Sequence, residues 1–342
     1  MKARSNRHLV LVRRPVGELK DSDLELREAP LPPLGRGEIL ARTLWLSVDP
    51  TNRIWMSEVP QYMPPVALGA VMRGIGIAAV EASEHPSFPV GSLVRGLVGW
   101  QEFVCGDPAA LGLAPLRRDP EVALSAYLGA LGSSGGLTAY FGLLEVGQAK
   151  AGETVLVSAA AGSVGSIAGQ LAKIHGCRAV GVAGGPEKCR YVVEALGFDA
   201  CVDYRAGDLE GAIARACPGG IDVDFENVGG AVLDAALANL NLRARVVLCG
   251  LISAYDAVSP PPGPRHFEQV LMRRARIEGF IVSDFIPRYG AATAALTGWL
   301  KAGRLRTQET VLEGIEALPE ALRRVLRGEK VGKVLVRVAG EG

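Results

Sequence analysis

The chemistry of this chain is concentrated in the stretch AAAGSVGSIAGQLAK. Ala160, Gly162 and Gly165 take the three positions of a G-x-G-x-x-G fingerprint, with Ala in the first. Such a loop suits a dinucleotide. Gly162 lets the backbone approach a diphosphate closely, and Gly165 lets the helix pack tightly on its strand. The helix that opens at Ser163 and Val164 adds amide donors and the positive end of its dipole. A lone fingerprint is a common pattern, and here the context makes it specific. The apolar run TVLVSA precedes it, and apolar residues at 164, 167, 168, 171 and 172 follow at helical spacing.

The choice between nicotinamide dinucleotides rests on the next strand end. NAD-binding sheets place a carboxylate about 20 residues on, against the ribose hydroxyls. Here Val182 stands at that distance, followed by Ala183, Gly184, Gly185 and Pro186. Lys188 comes next with Arg190 near it, and Tyr204-Arg205 close the following strand. A cationic, glycine-lined pocket without an acid suits a 2′-phosphate. Glu187 weighs weakly against it. NADP(H) is the expected cofactor.

Other chemistries find little support. The six Cys and four His are scattered, with no C-x-x-C and no H-E-x-x-H, so neither a zinc site nor a disulfide framework is expected. The 37 Lys and Arg balance 36 Asp and Glu, a formal charge of +1, which gives nucleic acid no field to follow. Lys2, Arg4, Arg7, Arg13 and Arg14 make the N-terminus basic, but no apolar run follows, so a secretory leader is not expected. The least polar stretch, residues 155–172, is interrupted by Ser158, Ser163, Ser166 and Gln170 and makes a poor membrane span. A cytoplasmic protein with no membrane or nucleic-acid partner is the expectation.

The elements that must position the loop follow from texture. With 342 residues and 49% hydrophobic residues, the chain has material for about two domains with real cores. Residues 1–125 carry short alternating runs broken by turn formers and proline joints, a mostly β pattern. From there strand and helix alternate. Apolar runs at 154–159, 178–184, 200–204, 221–228 and 244–250 are each separated by a helical segment, and the last closes the series. Strands apolar throughout predict a parallel sheet covered on both faces, hence a doubly wound α/β domain. The proline run at 259–264 can be neither helix nor central strand. Residues 333–338 read as a strand that returns to the first domain. The α/β chain thus divides into 1–125 plus 300–342, and an inserted dinucleotide-binding domain over 126–299.

Several blocks, in order, resemble the zinc-independent medium-chain dehydrogenase/reductases, in the branch of leukotriene B4 dehydrogenases, prostaglandin reductases and alkenal double-bond reductases; bacterial curcumin-reductase-like members look most similar. The blocks are LSVDP at 46–50 with Arg53 and Met56, VGWQEF at 98–103, GGLTAYFGL at 135–143, the AAxGxVG loop, FENVGG at 225–230, ARVVLCGLISAY at 244–255 and GFIVSD at 279–284. The resemblance implies a GroES-like catalytic domain, an inserted Rossmann domain and a homodimer. It further implies that Lys188 and Tyr204 contact the 2′-phosphate. Asn227 and the turn holding Cys249, Gly250, Ile252, Ser253 and Tyr255 would line the nicotinamide ribose, with Phe280, Ile281 and Val282 flanking ring and substrate. Three positions depart from the pattern, one being Arg205, which follows Tyr204 where the family commonly has Lys and keeps the charge. Thr51 stands where an aromatic often follows Asp-Pro, so the substrate wall either opens or borrows Tyr62. Lys330 stands in place of an Asn that the family sets at the cofactor.

The expected reaction is NADPH-dependent reduction of the carbon–carbon double bond of an enal or enone. Hydride reaching the β-carbon leaves negative charge on the carbonyl oxygen, and a positioned hydroxyl stabilises it. Tyr255, just past the fifth strand at the carboxyl edge of the sheet, stands where open α/β sheets bind ligands, and the resemblance gives it the same role. A quinone oxidoreductase of the same superfamily and a catalytically weak NADPH-binding sensor are the competing readings. Trp100 and Phe103 are read as cleft wall or core, and Asp49 as a turn-orienting residue.

Overall fold

The computed structural model describes residues 5–341, so Lys2 and Arg4 lie outside the described residues. The chain forms two compact units. One takes the described residues up to Leu128, together with Thr310–Glu329 and the segment from Val334 onward; the other comprises Gly129–Glu309 and Lys330–Lys333.

The first unit is built on short antiparallel strands: β1 (Ser5–Leu11), β2 (Leu24–Pro30), β3 (Ile39–Val48), β4 (Gly76–Ser83), β5 (Leu93–Gly96), β6 (Phe103–Gly106) and β7 (Leu113–Pro115). β1 pairs β2 as a separate ribbon, while β3 carries the main sheet between β4 and β6. The late strand at 333–337 also pairs β3, with Val334 opposite Val48 and Arg337 opposite Trp45. Its apolar run Val334–Val336 is buried there on both faces. The helix Leu318–Leu326 buries Leu318, Ala321, Leu322 and Val325, the spacing of one helical face. On its wet side Arg324 pairs with Glu320. Trp100 is fully buried in this core, which settles it as packing.

The second unit holds a six-stranded parallel sheet in the order β10-β9-β8-β11-β12-β13. These strands are β8 (Thr154–Val157), β9 (Arg178–Ala183), β10 (Ala200–Asp203), β11 (Ile221–Glu226), β12 (Leu240–Leu248) and β13 (Arg276–Gly279). The order reverses between β8 and β11, the crevice where doubly wound sheets bind ligands. All four residues of β8 are buried, as a strand covered on both faces requires.

The series of strands does not close at β12. A sixth strand, β13, extends it, and its sequence RIEG gave no sign because an edge strand is exposed and need not be apolar. The proline run at 259–264 forms neither helix nor strand. Among the described residues, no helix is long and apolar enough to cross a membrane.

Candidate active site

The registers of the sheet bring the candidate residues to one edge. Phe225 lies opposite Val157, Glu226 opposite Leu248, and Leu248 opposite Gly279. The chain therefore leaves β8, β11, β12 and β13 side by side, carrying the glycine loop, Asn227, Cys249 and Phe280 out from neighbouring strand ends. On the other flank, Asp203 lies opposite Ala183, so Gly184 and Tyr204 emerge together.

The loop after β8 turns on Ala159, which has a positive φ of 50°. Gly162 caps the helix α1 (Ser163–Ile174), and its amide donates to Ala159 O at 2.8 Å. No side chain caps this helix, so its first amides keep the donor capacity that a diphosphate uses. A Cβ on Gly165 would drive into the Ala159 carbonyl, the close packing that only glycine permits. A Cβ on Gly162 would stand 3.1 Å from Ala159 O and 3.1 Å from Lys330 Nζ. Ser163 and Val164 are half-buried at the opening of the helix.

At the end of β9 the backbone turns through Gly184 and Gly185, the latter at φ +91°. A Cβ on Gly184 would lie 2.8–2.9 Å from the Tyr204 ring and hydroxyl, so the bare backbone is what lets that ring lie against the turn. The Arg205 guanidinium stands 5.5 Å from the centre of the same ring. Lys188 is half-buried in the short helix that follows. Sequence reasoning missed Asp203. Its Oδ1 accepts from the Gly185 amide at 2.8 Å and the Arg205 amide at 2.9 Å, and these donors hold its carboxyl below the usual range. It ties the two turns that present Lys188 and Tyr204. An acid at the end of β10 gave no signal, because the expected position of a ribose acid is at the end of β9.

The third cluster is built on Glu226, also unforeseen. Its Oε1 accepts from Ser158 Oγ and the Gly229 amide, each at 2.8 Å, and from the Val228 amide. The Asn227 amide in turn donates to Ser158 Oγ at 2.6 Å, and Asn227 Nδ2 donates to Ser158 O at 2.8 Å. A fully buried carboxyl thus fixes the turn that carries Asn227. The Asp224 carboxyl on the same strand is also fully buried, and neither oxygen has a hydrogen-bond partner. Burial, reinforced by Glu226, pushes it well above the ordinary carboxyl range; burial raises Glu226 as well, but its donors offset part of that rise. The proton of the pair belongs on Asp224.

The turn after β12 is stitched to the turn after β11. The Cys249 and Gly250 amides donate to Glu226 O at 2.9 and 3.1 Å, the Ile252 amide to Asn227 O at 3.2 Å, and the Ser253 amide to Val228 O at 3.0 Å. Ser253 Oγ also donates to Val228 O, at 2.6 Å. Tyr255 folds back over this turn, its hydroxyl oxygen accepting from the Leu251 amide at 3.1 Å. Burial pushes the Cys249 thiol up to about 12, so it stays protonated at neutral pH. Beyond β13, the Phe280 ring lies 2.7 Å from where a Cβ on Gly142 would stand. Ile281 is exposed, and Val282 O accepts from Tyr289 Oη at 3.0 Å.

In the first unit, Thr51 Oγ1 lies 2.7 Å from the Tyr62 hydroxyl, to which Trp55 Nε1 also donates at 3.1 Å. Asp49 accepts from Ser47 Oγ, and its own amide donates to Asn52 Oδ1 at 2.8 Å, so it organises a turn. Among the described residues, no three His, Cys, Asp or Glu come together as a metal site would require.

Two family models match, an N-terminal domain of oxidoreductase over residues 7–113 and a zinc-binding dehydrogenase over residues 163–297. The chain is 43% identical to an NADPH-dependent curcumin reductase of Escherichia coli (strain K12), over 98% of both chains. It belongs to the zinc-independent medium-chain dehydrogenase/reductases. Within that family it is 38% identical to a 2-alkenal reductase (NADP(+)-dependent) of Nicotiana tabacum, again over 98% of both. The solved structure of CurA from Vibrio vulnificus in complex with NADPH superposes with a TM-score of 0.92 at 41% identity, covering 98% of this chain and 99% of that one. As a medium-chain reductase the chain is an oxidoreductase, and its two-unit α/β architecture is that of the family. The uncapped helix, the glycine approach at Gly162 and the basic, carboxylate-braced turns at 184 and 204 fit a phosphorylated dinucleotide.

Proposed function

We propose that this chain reduces the carbon–carbon double bond of α,β-unsaturated aldehydes and ketones with NADPH. The observation that carries the reading is the stitched pair of turns at Asn227 and Tyr255, on adjoining strand ends beside an uncapped dinucleotide loop. When bound, NADPH supplies the hydride, which the protein has only to receive on a well-placed substrate carbon.

The chain's own residues do the rest. The amides of Ser163 and Val164 and the helix behind them hold the diphosphate. Lys188 and Tyr204, set by Gly184 and Asp203, hold the 2′-phosphate. Asn227, clamped by Glu226 and Ser158, fixes the ribose end, and Phe280 to Val282 border the ring. Tyr255 orients the substrate: its oxygen accepts from the Leu251 amide, which polarises the O–H toward a carbonyl oxygen as charge builds there. Water serves as the proton source for the α-carbon, so Tyr255 acts as an orienting donor. Cys249, held as a thiol, does not compete for the electrophilic substrate.

The edge of the sheet supports a homodimer. β13 is exposed, and in the segments that precede and follow it in sequence Phe267, Leu271 and Ile286 are each more than half exposed, at 58%, 71% and 59%. An edge strand flanked by apolar side chains is a surface that a second copy covers.

The test is NADPH and NADH oxidation against 2-alkenals, cyclic and aryl enones, and quinones. Preferred turnover of alkenals or enones with NADPH is expected. Turnover with quinones alone would replace this reading with a quinone reductase.

A further inference from the structure

We propose that Lys330 binds the bridging diphosphate of the dinucleotide, a role that the Asn expected there could not fill with charge. The segment carrying it lies along the phosphate loop. Gly332 forms a parallel bridge with Gly162, and the Gly332 amide donates to Ala161 O at 2.8 Å. Gly332 has φ +68°, and a Cβ on it would collide with Gln308 O, so this approach is fixed by backbone geometry and not by chance side-chain packing. The result is that Lys330 Nζ stands 3.1 Å from the Cβ position of Gly162.

That location is electrostatically unusual. Nζ lies at the N-terminus of a twelve-residue helix whose first turn has no side-chain cap and no acidic residue. The positive pole of the helix repels an ammonium and attracts an anion. An anion at Gly162 would meet both the helix amides and the nearby ammonium, and the absence of a Cβ on Gly162 leaves room for it. A Lys reads such a group as a compact point charge. The inference rests on the Gly162 loop being the diphosphate cradle. It adds a consequence absent from the Lys188 pocket: Lys330 reads what NADPH and NADH share.

The experiment measures dissociation constants by quenching of intrinsic tryptophan fluorescence for NADPH, NADH and adenosine 2′-monophosphate, which lacks the diphosphate. Wild type, Lys330→Ala, Lys330→Asn, Lys188→Ala and Gly162→Ala are compared, with melting temperatures to confirm folding. Both Lys330 variants should lose about tenfold in affinity for NADPH and for NADH alike, about 1.4 kcal/mol. Their affinity for adenosine 2′-monophosphate should be unchanged, and their salt dependence shallower. Lys188→Ala should instead change the NADPH/NADH ratio. Unchanged dinucleotide affinity in the Lys330 variants overturns the proposal, as does a shifted NADPH/NADH ratio with weakened adenosine 2′-monophosphate binding. Gly162 has an extended backbone (φ −88°, ψ 178°) that alanine adopts, so Gly162→Ala tests the cradle separately. Weakened binding in Gly162→Ala beside unaffected Lys330 variants removes Lys330 and keeps the loop; unaffected binding in all three removes the loop reading as well.

Discussion

Tyr255 and Asp224 show what single residues contribute here. Tyr255 accepts a hydrogen bond from its own turn, and its proposed role is toward the substrate, so its loss should be felt in turnover and not in cofactor affinity. Tyr255→Phe is expected to lower kcat for an enone by about 10–100-fold, the scale of one charge-assisted donor, while the NADPH dissociation constant stays within a factor of two or so. Stopped-flow turnover with fluorescence titration checks this, and unchanged turnover removes Tyr255 from the mechanism. Asp224 acts on stability. Its folded-state pKa is raised, so the native chain keeps a proton that the unfolded chain releases. Its contribution is therefore present at low pH and is lost as pH rises from the ordinary carboxyl range through the raised value. Glu226, on the same strand, is the ionisable neighbour that reinforces the rise. Asp224→Asn should flatten the fall of Tm with pH and melt a few degrees above wild type at pH 8, with the gap closing at pH 5. Parallel Tm curves from pH 5 to 9 would contradict it. Tyr255 was legible from its place after the fifth apolar run. Asp224, Glu226 and Asp203 were not, since acids within or at the end of a strand carry no sign of whether they brace backbone amides, face solvent or lie buried without partners.

At the scale of elements, the strand–loop–helix of residues 154–174 was readable because three requirements coincide: an apolar strand, small residues at fixed spacing, and helical periodicity. The structure gives each glycine its reason. Gly165→Ala places a methyl against the Ala159 carbonyl, and overpacking of this kind costs about 1–3 kcal/mol. Urea unfolding of the variant should show that loss together with weakened NADPH binding, and an unaltered midpoint would mean the loop yields. β13 escaped notice for the opposite reason. Four residues with two charges, half wet at an edge, match no periodic template. The helical segment expected between the apolar runs at 178–184 and 200–204 is also irregular, its α-helical part ending at Arg190 before a wider turn over Tyr191–Ala195. Composition does not distinguish those two windings.

The chain as a whole folds as two units with separate apolar cores, one mostly antiparallel and one doubly wound. Its formal charge is +1, and its six Cys and four His are scattered along the sequence. Assembly is the property that a single chain displays least directly. If the exposed apolar edge beside β13 is covered by a second copy, light scattering should give about twice the 35.9 kDa of one chain. Leu271→Asp should shift that mass toward the monomer, because an unpaired charge cannot be buried cheaply in such a contact; a monomeric wild type would contradict the dimer. The central claim concerns which bond of the substrate is reduced. It is tested most directly by NMR of the product formed from an α,β-unsaturated ketone and NADPH carrying deuterium at the transferable position of the nicotinamide. The account predicts the saturated ketone with deuterium on the β-carbon. An allylic alcohol with deuterium on the carbonyl carbon would contradict it.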